Sequence, residues 1–415
     1  MSLLKVNFSR LQNDIETLAS IGRSDEDHGI YRMAFTEHDM QARQWLRSRI
    51  EEAGLDYYQD EAANIHARLG YDGVRSSVMT GSHLDTVPGA GHLDGALGVM
   101  AGLECLRCLK EQTTPFHYAL ESIAFTDEEG RFGGMLGSQA MSGRMTPELI
   151  HLARDFEGHS LMEVMQSQGF PPMNILRARR QPESIRAFIE LHIEQGPVLE
   201  QHNMCIGAVD AISGLLRWNI RLLGEANHAG TTPMNMRKDP LQGFAEVSSA
   251  LPRLLEENGS PRSTATIGYV NCFPGAANVV PGRVEFSLDM RDTDMQVLDD
   301  LAQAFRKAMS AIARRHDLRF EYEEVSRLEA AICDQGIVDR ITMISREFGY
   351  HSMQMHSGAA HDSMMMATMT RTAMIFVPSI AGRSHSPAEW TPWEEIEKGA
   401  NVLLNTLYQL ASEAA

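Results

Sequence analysis

Apolar side chains recur at helical spacing from the start of the chain: Phe8, Leu11, Ile15 and Leu18 share one face, and Gly22 supplies a stop. A second helix is predicted from about Thr36 to Gly54, where Thr36 and Asp39 resemble a capping pair and Gly54 suits the end. Runs at Asn64–Leu69 and Ser77–Gly81 read as strands. Gly95 to Leu109 is apolar on nearly every face, which predicts a buried helix. His117–Thr126 reads as a strand and ends directly in Asp127-Glu128-Glu129-Gly130. Strands alternating with helices predict an α/β domain with a mostly parallel sheet. In open sheets of that kind, sites gather at the carboxyl ends of strands.

The middle of the chain changes texture. Leu216, Trp218, Ile220 and Leu222 alternate with polar residues, as do Val284, Phe286, Leu288 and Met290. Strict alternation predicts strands with one buried face, the antiparallel style. Residues 240–257 and 294–316 read as amphipathic helices. Together these predict an inserted α+β domain over residues 210–328. The chain then returns to the first domain, since Met374–Pro378 is a buried-strand run and the last ~20 residues read as a helix. Residues 1–209 and 329–415 are therefore expected to form one domain and 210–328 a second.

Length fits this division, because 415 residues at ~150 per domain give two or three domains. Hydrophobic residues at 43% and charged residues at 22% exclude disorder as a class, although the net charge is −18. An acidic chain lacks the basic footprint of a nucleic-acid binder. Its carboxylates serve solubility, or some are collected to hold cations. No run of ~18 apolar residues is present, so no membrane helix is expected, and Met1–Val6 turns polar too soon for a signal peptide. The five cysteines are irregularly spaced, and Cys105-Leu-Arg-Cys108 lies inside the apolar helical pattern, where it reads as helix filling. A reducing cytoplasm fits best. Met364-Met365-Met366 reads as core filler.

Five short segments carry chemistry: Gly81-Ser82-His83-Leu84-Asp85-Thr86 followed by Asp94-Gly95; Asp127-Glu128-Glu129-Gly130; His192-Ile193-Glu194-Gln195-Gly196; His228-Ala229-Gly230; and Ser384-His385-Ser386-Pro387. His, Asp and Glu without cysteine suit a borderline divalent metal such as zinc, manganese, cobalt or nickel. A carboxylate can bridge two cations, whereas an imidazole ligates one. A two-metal hydrolytic site therefore needs a bridging acid and a separate base for the water proton. Adjacent glutamates at a strand end allow one to bind metal while the other stays free. Singly, each segment has a structural reading: a hydrogen-bonded histidine, a solvated Glu-Glu pair, an ordinary turn. Their weight comes from their order and their placement at strand ends.

Together these segments resemble the hydantoinase/carbamoylase-type amidohydrolases, within the wider superfamily of dinuclear-metal peptidases and aminoacylases. That family includes N-carbamoyl-L-amino acid hydrolases, β-ureidopropionases, and allantoate and ureidoglycolate amidohydrolases. The resemblance covers nearly the whole chain, and His192-Ile-Glu-Gln-Gly-Pro is its most discriminating piece. It implies two divalent metal ions per subunit. His83, Asp94 and His192 would hold one; Asp94, Glu129 and His385 the other, with Asp94 bridging. It makes Glu128 the general base and Asp85 the partner that orients the His83 imidazole. His228 would stabilise the oxyanion from the inserted lid and dimerisation domain, reaching a neighbouring subunit's site. Asn278 and Arg291 match substrate-binding positions, with Arg291 clamping a carboxylate; Gln195 and His361 match further contacts, beside a wall at Gly358 and Ala359. Gly89-Ala90-Gly91-His92 replaces the Asn-Gly-Gly-rich loop expected before the bridging Asp, and the extra His92 reads as a decoy. The loop after Glu129 is slightly shorter than is common.

The expected activity is hydrolysis of the terminal ureido (carbamoyl) C–N bond of N-carbamoyl-L-amino acids or related ureido acids, releasing ammonia and carbon dioxide. The alternatives are allantoate or ureidoglycolate hydrolysis, or an aminoacylase or dipeptidase on the same scaffold. A non-enzymatic binding protein would have lost ligands or the base, and all are present. The partners expected are a small ureido acid and a second copy of the chain, with no nucleic acid and no membrane.

Overall fold

The computed structural model describes residues 3–112 and 116–413. These form two compact units, one of residues up to Asp210 and from Ile332 on, the other of Ala211–Ala331.

The first unit is built on one open sheet. In spatial order its strands are Asp56–Gln59, Ile65–Leu69, Ala119–Phe125, Ser77–His83, Ile185–Ile193, Thr372–Val377 and Ile206–Ile212. The four central strands, from Ala119–Phe125 to Thr372–Val377, are mutually parallel, and antiparallel strands flank them. Ser77–His83, Ala119–Phe125 and Thr372–Val377 are buried at every position. Strands covered on both faces read as continuous apolar runs, which is why they lack alternation. Parallel direction puts the carboxyl ends of all four on one edge of the sheet.

Helix Ala96–Lys110 is buried at every residue but Lys110. Glu104 is tolerated there because Arg10 answers it, Nε to Oε2 at 2.6 Å and Nη2 to Oε1 at 2.8 Å. Cys105 and Cys108 fill the same helix, and burial with the neighbouring Glu104 pushes the Cys108 thiol up to about 12. Such thiols are inert, so this CxxC packs rather than reacts. Helices Leu136–Met141, Pro147–Leu152 and Leu161–Ser167 are not marked by the sequence periodicity, being only six or seven residues long. They close a satellite core around Phe35, Phe132, Ile150 and Ile175.

The second unit is an antiparallel sheet ordered Val270–Phe273, Arg283–Asp292, Gly214–Leu223 and Arg319–Leu328, with Thr264–Thr266 beside Arg283–Asp292. Leu216, Trp218, Ile220 and Leu222 pack with Val284, Phe286, Leu288 and Met290 against Leu298, Leu301, Phe305 and Met309 of helix Met295–Arg315. The alternation predicted this face. Arg319–Leu328 escaped notice because it is an edge strand, exposed at most positions. Among the described residues no helix is long and apolar enough to cross a membrane.

Candidate active site and metal centre

The parallel strands deliver the polar residues to one place. His83 ends Ser77–His83, and His192 is the next-to-last residue of Ile185–Ile193. Asp127-Glu128-Glu129 follow Phe125, and His385 lies in the turn after Thr372–Val377. Asp94 stands just before helix Ala96–Lys110. Ligand atoms of His83, Asp94 and His192 lie within 4.8 Å of one another, as do those of Asp94, Glu129 and His385. Asp94 is common to both groups and divides its oxygens between them. Oδ1 is 3.6 Å from His83 Nε2 and 3.2 Å from His192 Nε2, while Oδ2 is 3.3 Å from His385 Nε2. His385 Nε2 is also 3.4 Å from Glu129 Oε2. Gly95 makes the approach possible: a Cβ there would lie 2.3 Å from the His83 ring, and its φ of +65° favours glycine.

The imidazoles are held in a defined tautomer. His83 Nδ1 is 2.9 Å from the carbonyl oxygen of Asp85, and His192 Nδ1 is 2.9 Å from that of Ile193. A carbonyl only accepts, so each Nδ1 carries the hydrogen and each ring turns its Nε2 toward the cluster. His192 Nε2 accepts a hydrogen bond from Gly95 N at 3.2 Å. These Nε2 atoms face a carboxylate oxygen across 3.2–3.6 Å, a spacing that a shared cation between them would also give. Zinc bonds of ~2.1 Å at a tetrahedral angle set two ligand atoms ~3.4 Å apart. Oε1 of Glu129 is buried without a hydrogen-bond partner among the described residues. Spacing, tautomer and orphaned oxygen fit a pair of divalent cations.

Burial, reinforced by Asp362, Glu129 and Asp85 and opposed by His83, pushes the Glu128 carboxyl well above its ordinary range. Glu129 is pushed up to about 7 by burial and Asp94. Asp94 goes the other way: burial would raise it, but His192, His385 and His83 hold it well below the carboxylate range. A carboxyl raised in the way of Glu128 beside the cluster is suited to take up a proton and pass it on. Glu128 Oε2 lies 3.6 Å from His83 Nε2.

Asp85 does contact the His83 imidazole. It reaches His83 through its backbone carbonyl, not its carboxylate. The carboxylate accepts from the backbone N–H groups of Glu128 (3.3 Å, Oδ1) and Glu129 (3.1 Å, Oδ2), holding the two-glutamate turn. Sequence spacing placed Asp85 beside His83 but could not say which of its oxygens points where.

Gln195 donates through Nε2 to Asp94 Oδ2 at 2.6 Å and stands at φ +57°. His361 is buried, its ring 4.6 Å from that of His192 and its Nε2 2.9 Å from Ser357 Oγ. Burial holds this imidazole well below its ordinary range, so it is neutral. Gly358 and Ala359 follow strand Ser352–Ser357, where Ser357 Oγ accepts from Ala359 N at 3.1 Å. Within the second unit, strand pairing sets His228 opposite Val279, and Ala229 N donates to the carbonyl of Asn278 at 2.9 Å, so His228 and Asn278 are neighbours. Arg291 Nε donates to Asp289 Oδ1 at 2.9 Å. His92 joins neither ligand group and packs on Trp390 with ring centroids 5.5 Å apart. Sequence reasoning passed over Asp362, a fully buried acid that accepts from Ser138 Oγ; its position right after His361 was the available signal.

The family model described as Peptidase family M20/M25/M40 matches residues 79–409. An N-carbamoyl-L-amino acid amidohydrolase from Geobacillus stearothermophilus is 38% identical over 97% of this chain and 98% of its own length. The allantoate amidohydrolase of Escherichia coli is 35% identical over 97% of each chain. The crystal structure of an amidase of the hydantoinase/carbamoylase family from Burkholderia multivorans superposes with a TM-score of 0.91 at 33% identity, covering 99% of both chains.

Proposed function

The chain belongs to peptidase family M20/M25/M40, in its hydantoinase/carbamoylase amidase branch, and from that premise we propose that it hydrolyses the terminal ureido C–N bond of N-carbamoyl-L-amino acids or related ureido acids. Water adds to the carbamoyl carbon, the C–N bond to the terminal nitrogen breaks, and ammonia leaves; the remaining carbamate loses carbon dioxide to give the free amine.

The observation that carries this reading is the divided carboxylate of Asp94, one oxygen toward His83 and His192 and the other toward His385, with a high-pKa glutamate at its side. His83, Asp94 and His192 would hold one divalent cation, and Asp94, Glu129 and His385 the second. When bound, such ions supply Lewis acidity to the carbonyl oxygen and acidify the attacking water. Glu128 takes a proton from that water and gives it to the leaving nitrogen. The Nδ1 contacts to carbonyls fix the two buried imidazoles in place. Gln195 and His361, with Gly358 and Ala359, line the substrate. Asn278 and Arg291 hold its acid end, and His228 stabilises the developing oxyanion. Self-association through residues 210–328 belongs to the same reading.

Allantoate hydrolysis is the second reading, favoured by the full-length similarity to the E. coli allantoate amidohydrolase. Both substrates present a carboxylate and a ureido group, so the anchoring residues serve either. The test is a panel of N-carbamoyl-L-amino acids, N-carbamoyl-β-alanine, allantoate, ureidoglycolate, N-acetyl amino acids and dipeptides, read by product release with zinc, manganese, cobalt and nickel separately. A carbamoyl amino acid is expected to lead. An allantoate rate far above every carbamoyl amino acid replaces the first reading with the second, and a leading dipeptide or N-acetyl substrate refutes both.

A further inference from the structure

One buried carboxylate beside the cluster has no part in the chemistry above. Glu389 is 2% exposed, although it follows His385 by only four residues in a surface turn. Its Oε1 accepts from the backbone N–H of Leu93 at 2.8 Å and of Asp94 at 3.1 Å. Its Oε2 lies 3.0 Å from Ser384 Oγ, and that hydroxyl is 2.6 Å from Oδ2 of Asp94. One side chain therefore holds the main chain of Asp94 directly and meets its carboxylate at the Ser384 hydroxyl, whose single hydrogen the two acids share. Its own backbone N–H closes the turn around His385 by donating to Ser386 O at 3.0 Å.

The surroundings are shaped for this contact. A Cβ at Gly91 would fall 2.4 Å from both Cβ and Oε1 of Glu389, so the loop can lie against the carboxylate only with glycine there. The far side of the turn is pinned by Thr391 Oγ1 to Pro378 O at 2.7 Å and Ile380 N to Trp390 O at 2.9 Å. Burying a carboxylate is costly unless its oxygens are occupied. Here two amide groups and a hydroxyl occupy them, and two of those three partners belong to Asp94 and to the residue before His385.

We propose that Glu389 is a positioning residue that sets the Asp94 loop in register with the His385 turn, so that the two oxygens of Asp94 meet two cations at once. This rests on the two-cation reading above. Asp94 and Ser384, the neighbour of His385, are 290 residues apart in the chain and are joined here together with Glu389. Partners that orient metal ligands in this way typically control affinity or activity by about 10–100-fold.

The test is cobalt(II) titration of the full-length apoprotein, read by the visible spectrum and the binding isotherm, with kcat and KM measured alongside, for Glu389→Ala, Glu389→Gln and Glu389→Asp. Glu389→Ala is expected to weaken cobalt binding by about 10–100-fold, alter the spectrum, and lower kcat with KM little changed. Gln keeps an acceptor for the two amides and a group facing Ser384, so it recovers the parent spectrum. Asp is a methylene shorter and does not. If Glu389→Ala fails to fold, the contrast between Gln and Asp carries the same test. A parent-like isotherm and spectrum in Glu389→Ala, or in Asp, overturns the proposal. His385→Ala separates the two levels: if it binds cobalt like the parent, the two-cation reading itself falls. If it is impaired and Glu389→Ala is not, only the positioning role falls.

Discussion

Replacing Asp85 with asparagine tests how the two-glutamate turn is held. The carboxylate is 1% exposed and receives the amides of Glu128 and Glu129 at 3.3 and 3.1 Å. A hydrogen bond to a charged group contributes about 1.5–3 kcal/mol. At these lengths the lower figure applies, so the pair is worth about 3 kcal/mol. Asparagine keeps one acceptor and turns its NH₂ toward the other amide, so the expected loss is about 1.5 kcal/mol, or more if the facing donors force the turn open. Turnover should fall further, by about 10–100-fold, because the base and a ligand glutamate both hang from that turn. The His83 imidazole should not notice: its Nδ1–H is held by a main-chain carbonyl that the substitution leaves in place. Denaturant unfolding, steady-state kinetics and the proton spectrum of the ring N–H groups of the apoprotein read the three effects. Parent-like stability and turnover in Asp85→Asn, or selective loss of the His83 N–H resonance, would refute the reasoning.

Three further outcomes are expected. Glu128→Gln should lower kcat by about 10²–10⁴-fold while metal content and melting temperature stay at parent values; unchanged turnover removes Glu128 as the base. Gly95→Ala should reduce metal content and cost more than about 1 kcal/mol, since its Cβ would meet the His83 ring at 2.3 Å; a variant that retains metal shows that the loop can shift. At the buried His66–Glu121 pair, with Nδ1 and Oε1 2.7 Å apart, burial opposes the imidazole's charge, but Asp60 and Glu121 raise it above 6.5, while Glu121 lies well below 4.5. The raised histidine contributes below 6.5 and loses that contribution as pH rises through its folded value; the depressed Glu121 loses its own as pH falls below 4.5. The stability difference between parent and His66→Gln should therefore be widest between these limits and shrink as pH rises above 6.5 through the folded value, and a flat difference contradicts the pairing.

The parts of this molecule that the sequence discloses are those set by repetition or by chain order. Alternation at Leu216–Leu222 is visible because one face is wet, and the apolar run at Met374–Val377 because both faces are dry. Edge strand Arg319–Leu328 has too little burial to leave a pattern. Most of the cluster segments are recognisable because the ligand residue stands at a strand end or beside a glycine, and His385 because of its Ser-His-Ser-Pro turn. Glu389 and the carboxylate of Asp85 are not recognisable in that way. Their partners are main-chain amides, which every residue except proline supplies, so nothing in the neighbouring letters marks the contact.

The two ligand groups differ in their access to water. His83, Asp94 and His192 are all buried, and Asp94 is joined to a helix buried along its length, whereas the His385 side chain is 49% exposed. In kinetic terms, one compartment has a door and the other has none. Under the proposed two-ion reading, an ion in the first group would leave only when the protein opens, on the timescale of local unfolding, while one held by His385 would leave when a single side chain swings out. Release to an excess chelator should then be biphasic, and mild denaturant should speed only the slow phase. Mixed-metal protein could accordingly be made by exchange alone, with the first ion trapped and the second replaced at will.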